Sequence, residues 1–209
     1  MRIAVVNEVS ASHRNHDILA ALDLPGLKVY NVGMSCPEDR PELTYIHTGL
    51  MAAALLGTGA CDFVVGGCGT GQGFINSAMQ YPGVFAGLIL DPLDAWLFSQ
   101  INGGNCVSLA LNKGYGWASD INLKYIFQRL FQDESGGGYP PHRRESQRES
   151  REMLQTISRI SHRGLMEIVQ ALDQSILKQL SKCEAFCTLL AENGGELGDR
   201  LAAYLKGLS

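Results

Sequence analysis

The densest chemistry in the 209-residue chain lies in the run Asp62-Phe63-Val64-Val65-Gly66-Gly67-Cys68-Gly69-Thr70-Gly71-Gln72-Gly73-Phe74. A buried strand ends there in glycines and opens a helix. No Gly-Lys-Ser/Thr follows, so this is not a Walker phosphate loop, and no register satisfies G-x-G-x-x-G. The residues offer a nest of backbone N–H groups at a helix start, suited to an anion or a developing oxyanion. A thiol at a helix N-terminus titrates below its usual value of about 8.5, which would make Cys68 a usable base or nucleophile. The same residues also allow a plainer reading, in which the glycines permit close strand–helix packing and Cys68 is a small core residue.

A second concentration of charge is His142-Arg143-Arg144-Glu145-Ser146-Gln147-Arg148-Glu149-Ser150-Arg151. Arg144 and Arg148 stand at i, i+4 and share a helix face. Two guanidinium forks so placed suit a phosphate; the alternative is a solvated charge run balanced by Glu145 and Glu149. Cys183 and Cys187 also stand at i, i+4, but no second Cys/His pair flanks them, so they read as core packing rather than zinc ligands. No metal and no cofactor is expected. His13, His16 and His142 read as surface residues, and Trp96 and Trp117 as core or interface.

Positioning such a loop requires a regular frame. Short apolar runs at Ile3–Val6, Leu27–Val32, Asp62–Gly66, Val84–Leu90 and Cys106–Leu111 read as parallel strands buried on both faces. Helical stretches at about 13–22, 45–58, 71–80, 92–101 and 117–131 alternate with them. The alternation predicts right-handed βαβ units: a Rossmann-like three-layer α/β/α domain over residues 1–132 with a five-stranded parallel sheet. Ligands in such sheets bind outside the carboxyl ends of the strands, which points to the loops after Val6, Gly66, Leu90 and Leu111. Residues 133–151 form a Gly/Pro/Arg-rich linker. A helical extension follows over 152–209, patterned by Leu165, Ile168, Val169, Leu172, Ile176 and Leu180, interrupted at Asn193-Gly194-Gly195 and ending in a short helix over 196–207. Its size predicts that it packs on the first domain or on a partner subunit.

Composition narrows the function. With 17 Lys+Arg against 21 Asp+Glu the net charge is −4, which argues against a nucleic-acid binder. No apolar run reaches the ~18 residues of a membrane span. The N-terminal residues carry no signal-peptide core, so the six cysteines are read as reduced thiols of a cytoplasmic protein. Charged residues make up 18%, below the roughly 25% usual for soluble chains. A surface so poor in charge predicts burial in a homodimer or higher homo-oligomer.

Gly67-Cys68-Gly69-Thr70-Gly71-x-Gly73 resembles the active-site loop of the ribose-5-phosphate isomerase B and galactose-6-phosphate isomerase family. Tyr45-Ile46-His47 resembles the family's Tyr-Pro-His segment, and Pro82-Gly83-Val84-x-Ala86 its Pro-Gly-Ile-Arg-Ala stretch. Ala95-x-Leu97-x-x-Gln100-x-Asn102-x-x-Asn105 resembles Ala-x-Leu-x-x-x-His-Asn-Asp-x-Asn. The similarity spans residues 2–131, with a weaker echo to about 151. It implies a metal-free aldose–ketose isomerase of a small sugar phosphate, a pentose or tetrose phosphate, with a dimeric site and a cis-enediolate intermediate. By position, Cys68 resembles the general base. Gly69, Thr70, Gly71 and Gly73 resemble the loop that holds the enediolate, and Asn102 the amide that supports it. Glu8 falls where the family has its first-strand Asp, and His47 where it has its Tyr-Pro-His histidine. Arg144 and Arg148 resemble the Arg-His-x-x-Arg segment that reaches phosphate across the dimer.

The sequence departs from that pattern at chemically telling positions. The family's phosphate-holding His is Val9, its ring-opening His is Ile101, and its Arg after the last strand is Asn112. Neither valine nor isoleucine can shuttle a proton or pair an anion. The losses favour a substrate that is already open-chain, such as a tetrose or tetrulose phosphate. Two other readings compete: a diverged sugar or sugar-phosphate binding protein without catalysis, and a thiol-dependent hydrolase in which His47 partners Cys68.

Overall fold

The computed structural model describes residues 1–208. Strands β1 (Arg2–Val6), β2 (Lys28–Asn31), β3 (Phe63–Cys68), β4 (Ala86–Ile89) and β5 (Cys106–Ala110) form one parallel sheet in the order β2-β1-β3-β5-β4. The chain leaves β1 toward β2 and returns to its other side with β3, so the strand order reverses between β1 and β3. At that point the carboxyl ends open a crevice. Cys68, the last residue of β3, lies beside it, paired in register with Ala110 of β5.

Alternate strand residues face opposite ways, and both faces are covered. Ile3, Val5, Val65, Val107 and Leu109 meet α1 (Asn15–Ala21), α4 (Pro92–Leu97) and α5 (Ser119–Phe131). Ala4, Val6, Val64 and Cys106 meet α2 (Tyr45–Gly57) and α3 (Gln72–Ala78). This is the three-layer architecture that the strand–helix alternation predicts. The element ends shift by a few residues. The stretch expected as one helix over 92–101 is α4 followed by a π-helical turn, Phe98–Asn102.

The second half differs more from the expectation. The break after α5 is short, because α6 (Arg144–Ser161) begins inside the stretch read as linker. The remaining helices are α7 (Leu165–Ala171), α8 (Gln174–Leu180), α9 (Glu184–Asn193) and α10 (Gly195–Lys206), where the sequence pattern suggested one helix as far as Asn193. Gly164 and Asp173 cap the fresh starts of α7 and α8, Asp173 by accepting the Ser175 N–H at 2.8 Å. Leu177, Leu180, Phe186, Leu190 and Leu205 join the core over α2. At ~1.5–3 kcal/mol for each fully buried large apolar side chain, that contact accounts for the extension's hold on the first domain.

Helix α6 is the exception. Its one buried residue is Ser158, while Met153, Leu154, Ile157 and Ile160 are exposed. Trp117 is not a core residue of the chain: it is fully exposed on the loop between β5 and α5. Cys183 and Cys187 pack against the core as free thiols, and burial pushes the Cys183 thiol up to about 12.

Candidate active site

Cys68 is a strand residue, buried, with its Sγ 4.0 Å from Thr70 Oγ1. Helix α3 starts four residues later, so the thiol stands before the helix rather than in its first turn. Gly71 carries the chain into α3 in the left-handed region, at φ 76°, where a side chain would be strained and would also strike Leu88. Gly66 is fixed by packing, since an added Cβ would lie 2.3 Å from the Phe74 ring.

The peptide groups around Cys68 are held from three strands. The Cys68 carbonyl accepts the Leu111 N–H at 3.0 Å and the Gly71 N–H at 3.3 Å. The Gly69 carbonyl accepts from Asn112 N at 3.0 Å and Lys113 N at 2.8 Å. The Gly69 N–H donates to Ser10 Oγ at 3.1 Å, and buried Ser108 donates to the Gly71 carbonyl at 2.6 Å. The loop is therefore only in part a nest of free donors, because the N–H groups of Gly69 and Gly71 are already used. Gln72 N–H goes to Thr70 Oγ1 at 3.3 Å. Gly73 lies within the first turn of α3, where an N–H has no partner inside the helix. The Tyr45 ring lies against Gly73, with Cδ1 2.9 Å from where a Cβ would sit.

Glu8 follows β1 and is 3% exposed. One carboxylate oxygen accepts the Ser10 hydroxyl, and the other accepts the Ser10 N–H at 3.1 Å. Asn112 Nδ2 donates to the Ser10 carbonyl at 2.9 Å. Asn112, at the position of the family's arginine, thus braces the loop after β1. Val9 is partly buried and packs against the core.

His47 sits in the first turn of α2, where its Nδ1 accepts the Thr44 N–H at 3.0 Å. That bond places the proton of the neutral ring on Nε2, and burial holds the imidazole below its ordinary value. His47 is thus a neutral donor and part of the helix cap.

The other expected residues lie elsewhere in the chain. Asn102 precedes β5, at the amino end of the sheet. Four residues of β5 at ~3.3 Å each separate that end from the level of Cys68. Asn102 lines a cavity of about 600 Å³ beneath α6, together with Ile101, Phe98, Arg143 and Arg151. Arg143, just before helix α6, and Gln147, Ser150, Arg151 and Leu154 of the helix line this cavity. Arg144 and Arg148 do not line it. Arg144 Nε donates to the Gly137 carbonyl, and Arg148 pairs with Glu145 and Glu152. Glu152 takes the place expected for Glu149.

Gln147 is consumed by the Tyr139 backbone, accepting from its N–H at 3.0 Å and donating to its carbonyl at 2.6 Å. Arg151 clamps the carbonyls of Ile101 and Gly136, each at 3.0 Å. Sequence reasoning missed Ser10, Ser108, Asn112 and Arg151. Only Asn112 left a trace, as a departure from the family pattern. Among the described residues, no three or more His, Cys, Asp or Glu side chains gather as a metal site, and no helix is long and apolar enough to cross a membrane.

Comparison with known proteins agrees with this geometry. The chain aligns over its whole length with 4-deoxy-L-threo-5-hexosulose-uronate ketol-isomerase complexed with a tartrate. Identity is 40%, TM-score 0.93, and 100% of this chain and 99% of that one are covered. A ribose-5-phosphate isomerase from Vibrio parahaemolyticus matches at 38% identity and TM-score 0.94, again over 100% and 99%. The type B ribose 5-phosphate isomerase of Trypanosoma brucei shares the fold, at 20% identity and TM-score 0.63 over 75% of this chain and 97% of that one. The sequence has no match among curated proteins. The family signature of Ribose/Galactose Isomerase matches residues 3–135. With its cysteine loop at the strand-order reversal and full-length likeness to two isomerases, this chain belongs to the ribose/galactose isomerase family and is a sugar isomerase.

Proposed function

We propose that the chain interconverts an aldose and a ketose of a small, open-chain, acidic sugar through a cis-enediolate, with Cys68 as the general base. The observation that carries the reading is the immobilised peptide frame around Cys68: a proton acceptor at a strand end whose flanking carbonyls and N–H group are all paired. Deprotonated Cys68 takes the proton from the carbon beside the carbonyl, the hydroxyl proton passes between the two cis oxygens of the enediolate, and the same thiol returns its proton to the former carbonyl carbon. Thr70 Oγ1 and the Gly73 N–H are donors for the oxyanions that form between these steps. Removing one such donor typically raises the barrier by ~2.7–4 kcal/mol.

A carboxylate is favoured over a phosphate as the acidic group. The positions at which the family holds phosphate are Val9 and Asn112 here, and Arg148 is paired with the carboxylates of Glu145 and Glu152. The 40% identical relative is a ketol-isomerase of a hexosulose uronate, an unphosphorylated acid. The second reading keeps a tetrose or pentose phosphate, supported by the 38% identical ribose-5-phosphate isomerase.

Asn102 belongs to the same proposal only if a second copy supplies it, because within one chain it lies at the opposite end of the sheet. We therefore infer a homodimer in which the cavity beneath α6 closes over the partner's Cys68 loop. Arg143 is then its cation, since Arg151 is spent on backbone carbonyls.

The test is proton–deuterium exchange in heavy water with a hexosulose uronate, a tetrose phosphate and ribose 5-phosphate. The uronate and the tetrose phosphate are each expected to exceed ribose 5-phosphate in kcat/KM by at least about tenfold, a barrier difference of ~1.4 kcal/mol. Equal rates for all three would overturn the open-chain assignment, and no exchange with any of them would overturn the proposed substrate classes.

A further inference from the structure

We propose that Ser10 is a positioning residue for the proton transfer, and that Glu8 acts through Ser10 rather than on the sugar. The inference rests on the isomerase reading above and adds a role that the family pattern does not give, since the family's ligands at this corner are its first-strand Asp and the following His.

The geometry is a short relay between two strand ends. The buried Glu8 carboxylate is occupied on both oxygens by one residue, through the hydroxyl and the N–H of Ser10. The Ser10 hydroxyl donates its hydrogen bond to Glu8, so its oxygen presents a lone pair. The Gly69 N–H fills it at 3.1 Å. The Ser10 carbonyl is fixed in turn by Asn112 Nδ2 at 2.9 Å, and Asn112 N closes the circuit on the Gly69 carbonyl at 3.0 Å. Carboxylate, hydroxyl and peptide thereby form one chain of hydrogen bonds whose end is the peptide next to the reacting thiol, and such chains hold their members more firmly than isolated bonds.

Two consequences follow for the reaction. With both oxygens engaged by Ser10 and the residue buried, the Glu8 carboxylate is turned to the loop rather than to the substrate. The Gly69 N–H, committed to Ser10, is not an enediolate donor. The function left to this corner is to keep Cys68 in place while charge develops, and misplacement of a reacting group by about 1 Å costs on the order of a hundredfold in rate.

The experiment compares Ser10→Ala, Ser10→Thr, Glu8→Gln and the double variant Ser10→Ala/Glu8→Gln with the wild type. The readouts are isomerisation kinetics and backbone amide exchange at Gly69. Ser10→Ala should lower kcat by about tenfold to a hundredfold, shift KM by less than about threefold and speed Gly69 amide exchange. Ser10→Thr, which keeps the hydroxyl, should restore both. The double variant should be no slower than the slower single variant, because the two residues act as one unit. Unchanged kcat in Ser10→Ala overturns the positioning role, and so does a change confined to KM. Multiplicative losses in the double variant overturn the claim that Glu8 acts through Ser10. If the Glu8 variants fail to fold, the Ser10→Ala and Ser10→Thr pair decides alone, since both keep the Glu8 carboxylate and its bond from the Ser10 N–H. Inactivity of the wild type toward all three sugars would overturn the proposed substrates, and the Ser10 role would then stand or fall on Gly69 exchange, which is measured without substrate.

Discussion

At the scale of single residues, the thiol of Cys68 is the first thing to remove. Cys68→Ala is expected to abolish isomerisation and deuterium exchange while leaving substrate binding, read by calorimetry, nearly intact. The loop's peptide groups do not depend on the side chain, so full activity in the variant would reject Cys68 as base. Ile101 offers a sharper question. It lines the cavity beneath α6 beside Asn102, where the family has an imidazole to open sugar rings. General acid–base help of that kind is worth roughly 10²–10⁴-fold. Ile101→His should therefore raise the rate on ribose 5-phosphate and leave that on an open-chain acid nearly unchanged. A gain on both, or on neither, would mean that ring opening is not what separates the substrates. The chemistry at this scale was partly legible. Cys68 can be named from sequence because the glycine pattern isolates it, and Thr70 and Glu8 because they fall at positions of the family resemblance. Ser10 and Ser108 cannot, because an isolated serine has no spacing that announces its partner.

At the scale of elements, the start of α2 and the seat of α6 make testable claims. His47 caps α2 through Nδ1 and is held neutral by burial. Its value in the fold is below the ~6.5 of an unfolded chain, so the unfolded chain binds more protons between the two. Stability from this site is complete above about 6.5 and is lost as pH falls toward and through the folded value. Thermal unfolding of His47→Gln, which preserves an acceptor at this helix position, should show a shallower acid dependence than the wild type; parallel curves would refute the assignment.

For α6, Arg151 is the fastening. Arg151→Leu frees two backbone carbonyls and should expose residues 133–143 to limited proteolysis, with little change in the protection of α7 to α10. The helix itself is plain in the sequence, but its facing is not. Arg144 and Arg148 satisfy the i, i+4 rule as well as Arg143 and Gln147 do. What decides between them is the Gly136–Gly138 loop, whose N–H groups at Gly136 and Gly138 bond to the carbonyls of Ser99 and Gln100 at 2.8 and 2.9 Å.

For the whole molecule, the proposed pairing of two copies has a test that needs no structure. If each site takes Cys68 from one chain and Asn102 from the other, Cys68→Ala and Asn102→Ala subunits are each inactive alone. Unfolded together and reassembled at random, they should recover about one site in four, the intact site of the mixed dimer. No recovery would place both residues in one chain's site and contradict the inferred dimer. The five strands and the covering of both faces of the sheet were legible because parallel strands buried on two faces write themselves as short apolar runs; the order of the strands was not. The division of the site between the two ends of the sheet was not, because residues 68 and 102 are brought near or kept apart by topology alone.

Trp117 gives the molecule an optical handle. Its indole stands wholly in water, whereas that of Trp96 is partly covered and donates to Asp133 Oδ2 at 2.9 Å. Excited selectively at the red edge, the solvated indole should dominate emission and be quenched readily by iodide. It rides on the same loop as Asn112 and Lys113, which grip the Gly69 carbonyl. A ligand settling over Cys68, or a second subunit closing on it, should therefore shield this one fluorophore and lower its quenching constant, making assembly and occupancy visible in a cuvette before any product forms.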